Sequence, residues 1–182
     1  MEHSKFTAPE LYEREESCYP LLSSLSIPFE RCEHPAADTI EACAEAEETL
    51  GHEICKNLFL CNRNKTQYYL LLLPGKKVFK TKYLSAQIGS SRLSFASGED
   101  MLRLLGLAPG SVSILGLKND PANAVSLLID EEVLADEILC CHPCVNTATL
   151  RIKTRDLLEC FLPFVHHGYR SVSLPDGADE IE

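Results

Sequence analysis

The sequence predicts an α/β domain of the α+β kind, with a mixed β-sheet flanked by helices, on three observations. Apolar positions switch repeatedly between helical and period-two spacing along the chain. Two strand patterns separated by a polar turn, between Glu53 and Pro74, read as a hairpin. Helical stretches lie between the later strand patterns, so hairpins mix with crossovers. With 182 residues, 45% of them hydrophobic, the chain suits a single domain with a substantial core.

From the N-terminus, Thr7-Ala-Pro-Glu10 is a capping box with Pro in the first turn. Leu11, Cys18, Leu21, Leu22 and Leu25 then recur at helical spacing, which predicts a helix from about Pro9 to Ser24. Pro28 and Phe29 begin a short extended piece ending at Glu33-His34-Pro35, because the residue before a proline avoids the α region. Asp38-Thr-Ile-Glu41 is a second capping box, opening a helix that runs to Leu50 and is closed by Gly51. A strand to Cys61, the polar turn Asn62-Arg-Asn-Lys65 and a strand from Gln67 to Pro74, apolar on both faces, make the hairpin. Thr81 to Ile88 reads as a helix ended by Gly89, Ser91 to Ser97 as a short alternating strand, and Glu99 to Leu105 as a helix stopped by Gly106. Leu107 to Asp120 combines strand-formers with glycines, a loop that admits either a close ligand or an ordinary turn. Asn123 to Ile129 is a strand, Asp130 to Ala135 a helical turn, and Glu137 to Cys141 a strand running into His142-Pro143. Leu150 and Ile152 mark a last core strand, and Thr154 is the expected N-cap of a last helix that Pro163 ends or kinks. The organisation expected is a helical extension over 1–20, the main domain over 21–175 and an acidic, disordered tail over 176–182.

Lys56 breaks the apolar pattern of the first hairpin strand. At period two it shares a face with Ile54, Leu58 and Leu60, where a buried ammonium requires an acidic partner or an opening onto a cleft. The alternative places Lys56 at a fraying strand end with its head in water.

The net charge of −10 argues against a nucleic-acid partner, but its distribution argues the other way. Residues 1–50 hold twelve acids against three Lys or Arg, whereas residues 51–92 hold one acid against eight. Local potential within about 10 Å is what a phosphate senses. Arg63, Lys76, Lys77, Lys80 and Lys82 are therefore candidate RNA contacts, or else a solvated basic face. The sequence lacks an apolar run of membrane-span length and a signal-peptide pattern, so a cytoplasmic protein is expected. The nine cysteines are expected as buried thiols without disulfides in that compartment.

Walker, Gly-x-Gly-x-x-Gly, Gly-x-Ser-x-Gly and His-Glu-x-x-His patterns are missing, which argues against nucleotide hydrolysis and serine-hydrolase chemistry. Cys140-Cys-His-Pro-Cys144 has the spacing of a redox pair, but Val145-Asn-Thr-Ala-Thr149 beyond it is a poor helix former and no further metal-ligand pair occurs. No metal and no cofactor are expected. Buried thiols with a loop histidine remain beside the dithiol reading.

The motifs Lys56-Asn-Leu-Phe-Leu60, Ser91-Arg-Leu-Ser-Phe-Ala-Ser97, Leu107-x-Pro-Gly-Ser-Val-Ser113, Gly116-Leu-x-Asn-Asp120 and His142-Pro-x-Val-Asn-Thr-Ala-Thr149 occur in an order that closely resembles the YbaK/prolyl-tRNA-synthetase-associated editing family. Within it they most resemble the free-standing alanyl-tRNA(Pro) deacylases, called ProXp-ala or PrdX-like. Glu33-His-Pro35 with Thr39 is similar to the family's N-terminal pattern. The resemblance implies a strongly curved mixed sheet and hydrolysis of the ester joining a wrong amino acid, typically alanine, to tRNA(Pro). It implies Lys56 and Asn57 as the catalytic pair, Gly116-Leu117 and His142-Pro143 as two pocket walls, and Asn146 with Thr147 as the polar edge. Prolyl-tRNA synthetase is an implied partner. Cys140 and Cys141 depart from the family's usual glycine or bulky apolar residue, which leaves open a deacylase of Cys-tRNA(Pro) or a non-catalytic tRNA- or synthetase-binding module.

Overall fold

The computed structural model describes residues 14–36 and 40–177. Its elements in chain order begin with α1 (Cys18–Ser24), β1 (Phe29–Glu33), α2 (Ile40–Leu50), β2 (Lys56–Cys61), β3 (Tyr68–Leu73), α3 (Thr81–Ile88), β4 (Ser94–Phe95) and α4 (Gly98–Leu105). They continue with a 3-10 segment (Ile114–Asn119), β5 (Val125–Asp130), α5 (Glu131–Ala135), β6 (Ile138–Cys141) and β7 (Ala148–Lys153). Last come α6 (Thr154–Asp156), a π-helical turn (Leu157–Phe161), α7 (Leu162–Phe164) and β8 (Tyr169–Val172).

Leu70 to Leu73 are all fully buried, because β3 is apolar on both faces and so occupies the middle of a sheet. It pairs antiparallel with β2 and parallel with β5, in a five-stranded sheet ordered β4-β2-β3-β5-β8. Leu70 and Leu72 enter the larger core, and Leu71 and Leu73 a smaller one that includes Leu84 of α3. A second sheet, ordered β1-β7-β6, is antiparallel throughout. The larger core takes side chains from both sheets: Phe59 and Leu127 from one, Leu150 and Ile152 from the other. The expected mixed sheet is thus two sheets around one core. A parallel bridge between Ile54 and Cys140 joins them, with the Cys55 amide donating to the Cys140 carbonyl at 3.0 Å.

Local sequence accounts for most element ends. The hydroxyl of Ser97 accepts from the Asp100 amide at 3.1 Å to cap α4, and Gly106 closes that helix at φ 65°. Asp130 caps α5 by accepting from the Glu132 amide at 3.0 Å. The box at Thr7 and the start of the box at Asp38 lie outside the described residues.

Tertiary packing overrides several expectations. The described part of the expected 1–20 extension, residues 14–20, packs against the main domain: Cys18 and Leu22, one helical turn apart, are both buried in the larger core, and Glu15 pairs with Arg31 at 2.6 Å. The Ser91–Ser97 strand contracts to the exposed edge pair Ser94–Phe95. Thr154 is the first residue of α6, its hydroxyl buried and without a hydrogen-bond partner among the described residues, so it caps nothing. Pro163 has no N–H to give the turn before it, and that turn widens into a π-helix. β8, which the sequence pattern does not announce, adds beside β5 in parallel. The two described residues of the expected tail are held in place: the Asp176 carboxylate accepts from the Val78 amide at 3.0 Å and Gly177 N–H donates to the Val78 carbonyl at 2.9 Å. Among the described residues no helix is long and apolar enough to cross a membrane.

Lys77, expected to face phosphate, is instead buried, with 6% of its surface exposed. Its ammonium lies 3.0 Å from Asp130 and 2.7 Å from Glu132. Burial opposes its charge, but the Glu132 and Asp130 carboxylates more than offset this and hold its pKa above the ordinary lysine value. Lys77→Ala strands the buried Asp130 carboxylate and is expected to cost about 3–5 kcal/mol of stability in urea unfolding. Lys76→Ala, at an exposed side chain, is expected to change it by less than about 0.5 kcal/mol.

Candidate functional site

Lys56 and Asn57, two of the predicted site residues, open β2. Lys56, Leu58 and Leu60 alternate on the face that packs against Leu71, Leu73 and Leu84. Ile54 belongs instead to a small cluster with Ala46, Leu50 and Cys140. The Lys56 amine is half-buried and donates to the Lys77 carbonyl at 2.8 Å, with no carboxylate in ion-pair range among the described residues. Its partner is neutral, so the positive charge is not cancelled there.

Asn57 points to the opposite face. Its carbonyl oxygen accepts from the Ile114 amide at 3.0 Å, and its amide nitrogen donates to the Cys55 carbonyl at 3.0 Å. This fastens the 3-10 segment to β2. The Ser113 hydroxyl, which also accepts from the Leu115 amide at 3.1 Å, hydrogen-bonds the Cys141 thiol of β6. Gly116 and Leu117, expected as a pocket wall, are both buried. A Cβ on Gly116 would stand 2.6 Å from Leu107 Cδ1, so this glycine makes room for that leucine.

His142 and Pro143 leave the end of β6. His142 Nδ1 lies 2.9 Å from the Ala148 carbonyl. A carbonyl only accepts, so Nδ1 carries the proton and Nε2 is left as an acceptor. Burial lowers the His142 pKa, partly opposed by the Ala148 carbonyl. His34 repeats the arrangement, its Nδ1 at 2.8 Å from the Pro35 carbonyl and its Nε2 accepting from the Thr149 hydroxyl at 2.8 Å. The two imidazole rings stand 5.9 Å apart. Pairing of Glu33 with Ala148 brings them together. His34 and Thr149 are therefore neighbours of His142 that spacing alone did not single out, although both lie in the motifs Glu33-His-Pro35 and His142 to Thr149. Beyond Pro143, which is buried, Asn146 is half-buried and Thr147 exposed.

A cavity of about 330 Å³ opens where the two sheets meet, with walls that include Glu53, Cys55, Pro74, Gly75 and Cys140. Lys56 borders it in the chain, between Cys55 and its cross-strand partner Leu73, which precedes Pro74. Among the described residues no contact joins the Lys56 amine to the His142 ring; the bridge from Cys55 to Cys140 links them through backbone.

The thiols here are largely inert. Burial pushes Cys140 and Cys141 each up to about 12 and raises Cys55 further. The Cys144 sulfur meets Cys18 rather than completing a pair with Cys141. Among the described residues no cluster of three metal-ligating side chains occurs.

The basic residues do not form one patch. Lys76 is exposed and 3.6 Å from Glu53, Lys82 lies 4.8 Å over the Tyr83 ring, and Lys80 is half-exposed. Arg63 occupies the β2–β3 turn, at the other end of a hairpin whose strands span roughly 20 Å.

Because the folded pKa of His142 is depressed below 6.5, its contribution to stability is complete above that pH and is lost as pH falls toward the folded value. The urea midpoints of wild type and His142→Gln are expected to keep a constant separation above about pH 7.5 and to converge as the pH drops below about 6.5.

Residues 34–160 match the family described as the aminoacyl-tRNA editing domain. The prolyl-tRNA editing protein ProX of Acetoanaerobium sticklandii is 32% identical over 136 residues, covering 75% of this chain and 83% of that protein. The prolyl-tRNA synthetase associated domain-containing protein 1 of Mus musculus is 31% identical over 141 residues, with 75% and 83% covered. A solved structure described as a candidate trans-editing enzyme for prolyl tRNA synthetase superposes with a TM-score of 0.65 at 21% identity, covering 94% of this chain and all of that one, which shows a shared fold.

Proposed function

Since the chain belongs to the aminoacyl-tRNA editing domain family, we propose that it is a deacylase that edits mischarged tRNA(Pro), with Ala-tRNA(Pro) as the principal substrate. The observation that carries this reading is the junction at β2, where Asn57 holds the Ile114 amide and Cys55 holds β6 just ahead of His142. Lys56, with no carboxylate partner among the described residues, lies between Cys55 and Asn57 in the chain.

An aminoacyl ester is already activated, so hydrolysis needs a placed water, support for a developing oxyanion and rejection of the cognate amino acid, with no protein nucleophile. Lys56 supplies positive charge toward the ester or ribose oxygens once it exchanges the Lys77 carbonyl for substrate. His142 Nε2 is an acceptor for a water or for the α-ammonium, and Glu53 at the cavity rim suits that ammonium as well. Asn57 acts by positioning the 3-10 segment, and Asn146 with Thr147 form the polar edge. Lys76, Lys80 and Lys82 hold the acceptor end by phosphate contacts, which position rather than read the RNA. Prolyl-tRNA synthetase produces the mischarged substrate and is the natural partner, which places the protein in the cytoplasm.

The cavity is larger than a methyl group requires and is lined by the Cys55 and Cys140 thiols. This favours cysteine, on Cys-tRNA(Pro), as a second substrate, and excluding proline then depends on shape more than on volume.

Release of amino acid from Ala-tRNA(Pro) and Cys-tRNA(Pro), measured side by side, tests the reading. Wild type is expected to hydrolyse at least one of them and to spare Pro-tRNA(Pro), and Lys56→Ala to lose about 100- to 1,000-fold in kcat/KM. Equal rates for the two proteins remove Lys56 from the mechanism. Tight tRNA binding with no hydrolysis of either ester makes the protein a binding module.

A further inference from the structure

We propose that Cys18 and Cys144 are a thiol oxidation site, which a hydroperoxide converts into a reversible disulfide tying α1 to the loop after His142 and Pro143. Their sulfurs stand 3.6 Å apart across 126 residues of chain. A disulfide requires about 2.05 Å, so closure asks for an approach of only about 1.5 Å.

The surroundings select Cys18 as the attacking sulfur. Lys118 Nζ lies 3.1 Å from Cys18 Sγ and also donates to the Ser17 hydroxyl at 2.6 Å. The hydrogen bond between the Cys18 and Cys144 sulfurs, together with the Lys118 charge, outweighs burial and the Glu15 carboxylate and lowers the Cys18 pKa to about 7. Cys144 is driven the opposite way by the same hydrogen bond, by burial and by the Cys18 charge, so it stays protonated while Cys18 is a thiolate; oxidation of Cys18 to a neutral sulfenic acid removes that charge and lets Cys144 attack second. Thiolate character of this kind separates reactive from structural cysteines, and burial denies it to Cys55, Cys140 and Cys141. Cys18 is 1% exposed. Lys118, which donates to its sulfur, is half-exposed and the adjacent Ser17 is exposed, so the route proposed for a hydroperoxide of two oxygens runs along these two side chains.

The chemistry balances. The Cys18 thiolate attacks the outer oxygen of the hydroperoxide, the O–O bond breaks, and the departing oxygen takes up a proton as water or an alcohol. Cys18 is left as a sulfenic acid. The Cys144 sulfur then attacks the Cys18 sulfur, the S–O bond breaks, and the hydroxyl leaves as water with the Cys144 proton. Two thiols are oxidised by two electrons and the hydroperoxide is reduced by two. A dithiol reverses the step by exchange.

Cys144 has φ 64°, the left-handed region that a non-glycine residue adopts at a cost. It lies between His142-Pro143 and Asn146-Thr147, so drawing it toward α1 displaces both. That functional consequence rests on the deacylase reading; the cross-link itself does not.

The test uses the full chain, reduced, then treated with a small molar excess of hydrogen peroxide, denatured, alkylated and mapped by mass spectrometry. Wild type is expected to fall from nine alkylatable thiols to seven, to yield a peptide joining Cys18 to Cys144, and to regain nine with dithiothreitol. Cys144→Ser is expected to accumulate a dimedone-trappable sulfenic acid on Cys18, and Cys18→Ser to form no cross-link at Cys144. Retention of both thiols in wild type while the exposed Cys160 oxidises overturns the proposal. So does their oxidation to sulfinic acids without a joined peptide. Because no tRNA enters the mass measurement, its failure is distinct from failure of the deacylase assay, which would show a changed kcat/KM on oxidation.

Discussion

The backbone hydrogen bond from Cys55 N–H to the Cys140 carbonyl, at 3.0 Å, is the contact on which the arrangement of this protein turns. Each sheet is complete in itself, and the bridge between Ile54 and Cys140 is what sets one against the other. Its geometry leaves no slack: a Cβ on Gly75 would collide with the Ile54 carbonyl, so only glycine lets the end of the hairpin fold back against it. The Glu53 carboxylate, accepting from the Lys76 amide at 2.6 Å, closes the same corner.

Two polar arrangements extend from that junction, and they differ in kind. On one side Lys77, Asp130 and Glu132 form an ion-paired group in which Asp130 is 1% exposed and also caps α5. Its charges are mutually satisfied, which suits a structural role. On the other, His34, Thr149 and His142 are ordered by hydrogen bonds to carbonyls and a hydroxyl, which set each imidazole's tautomer while leaving His142 Nε2 an acceptor. Lys56 is tied to the first by the Lys77 carbonyl, yet has no carboxylate of its own among the described residues. A cation so placed is available to a substrate in a way that Lys77 is not.

The cysteines divide along the same physical line. Burial keeps Cys55, Cys140 and Cys141 protonated, at Cys140 even against the charge of Arg151, so they serve as compact apolar packing at the sheet junction. Cys18 is buried too, but Lys118 and Cys144 stabilise its thiolate. Burial alone therefore does not decide reactivity here; the neighbouring cation and donor do.

Local patterning was enough to find the helix of Thr81–Ile88 with its Gly89 stop, the hairpin with its doubly apolar second strand, and the helical turn from Asp130 to Ala135, since each depends on residues within a turn or two of one another. It also found that Lys56 lies on the face of Leu58 and Leu60, which strand parity dictates. Local pattern could not tell that the Cys18 helix packs into the core, that β8 joins beside β5, or that residues 91–97 hold only two in register. Nor could it separate buried Lys77 from exposed Lys76, or pair Cys144 with Cys18 instead of Cys141. Those outcomes are contacts between residues far apart in the chain. Which side chain meets a carboxylate, a second sulfur or water is settled when the two sheets close on their common core, and no spacing along a single segment encodes it.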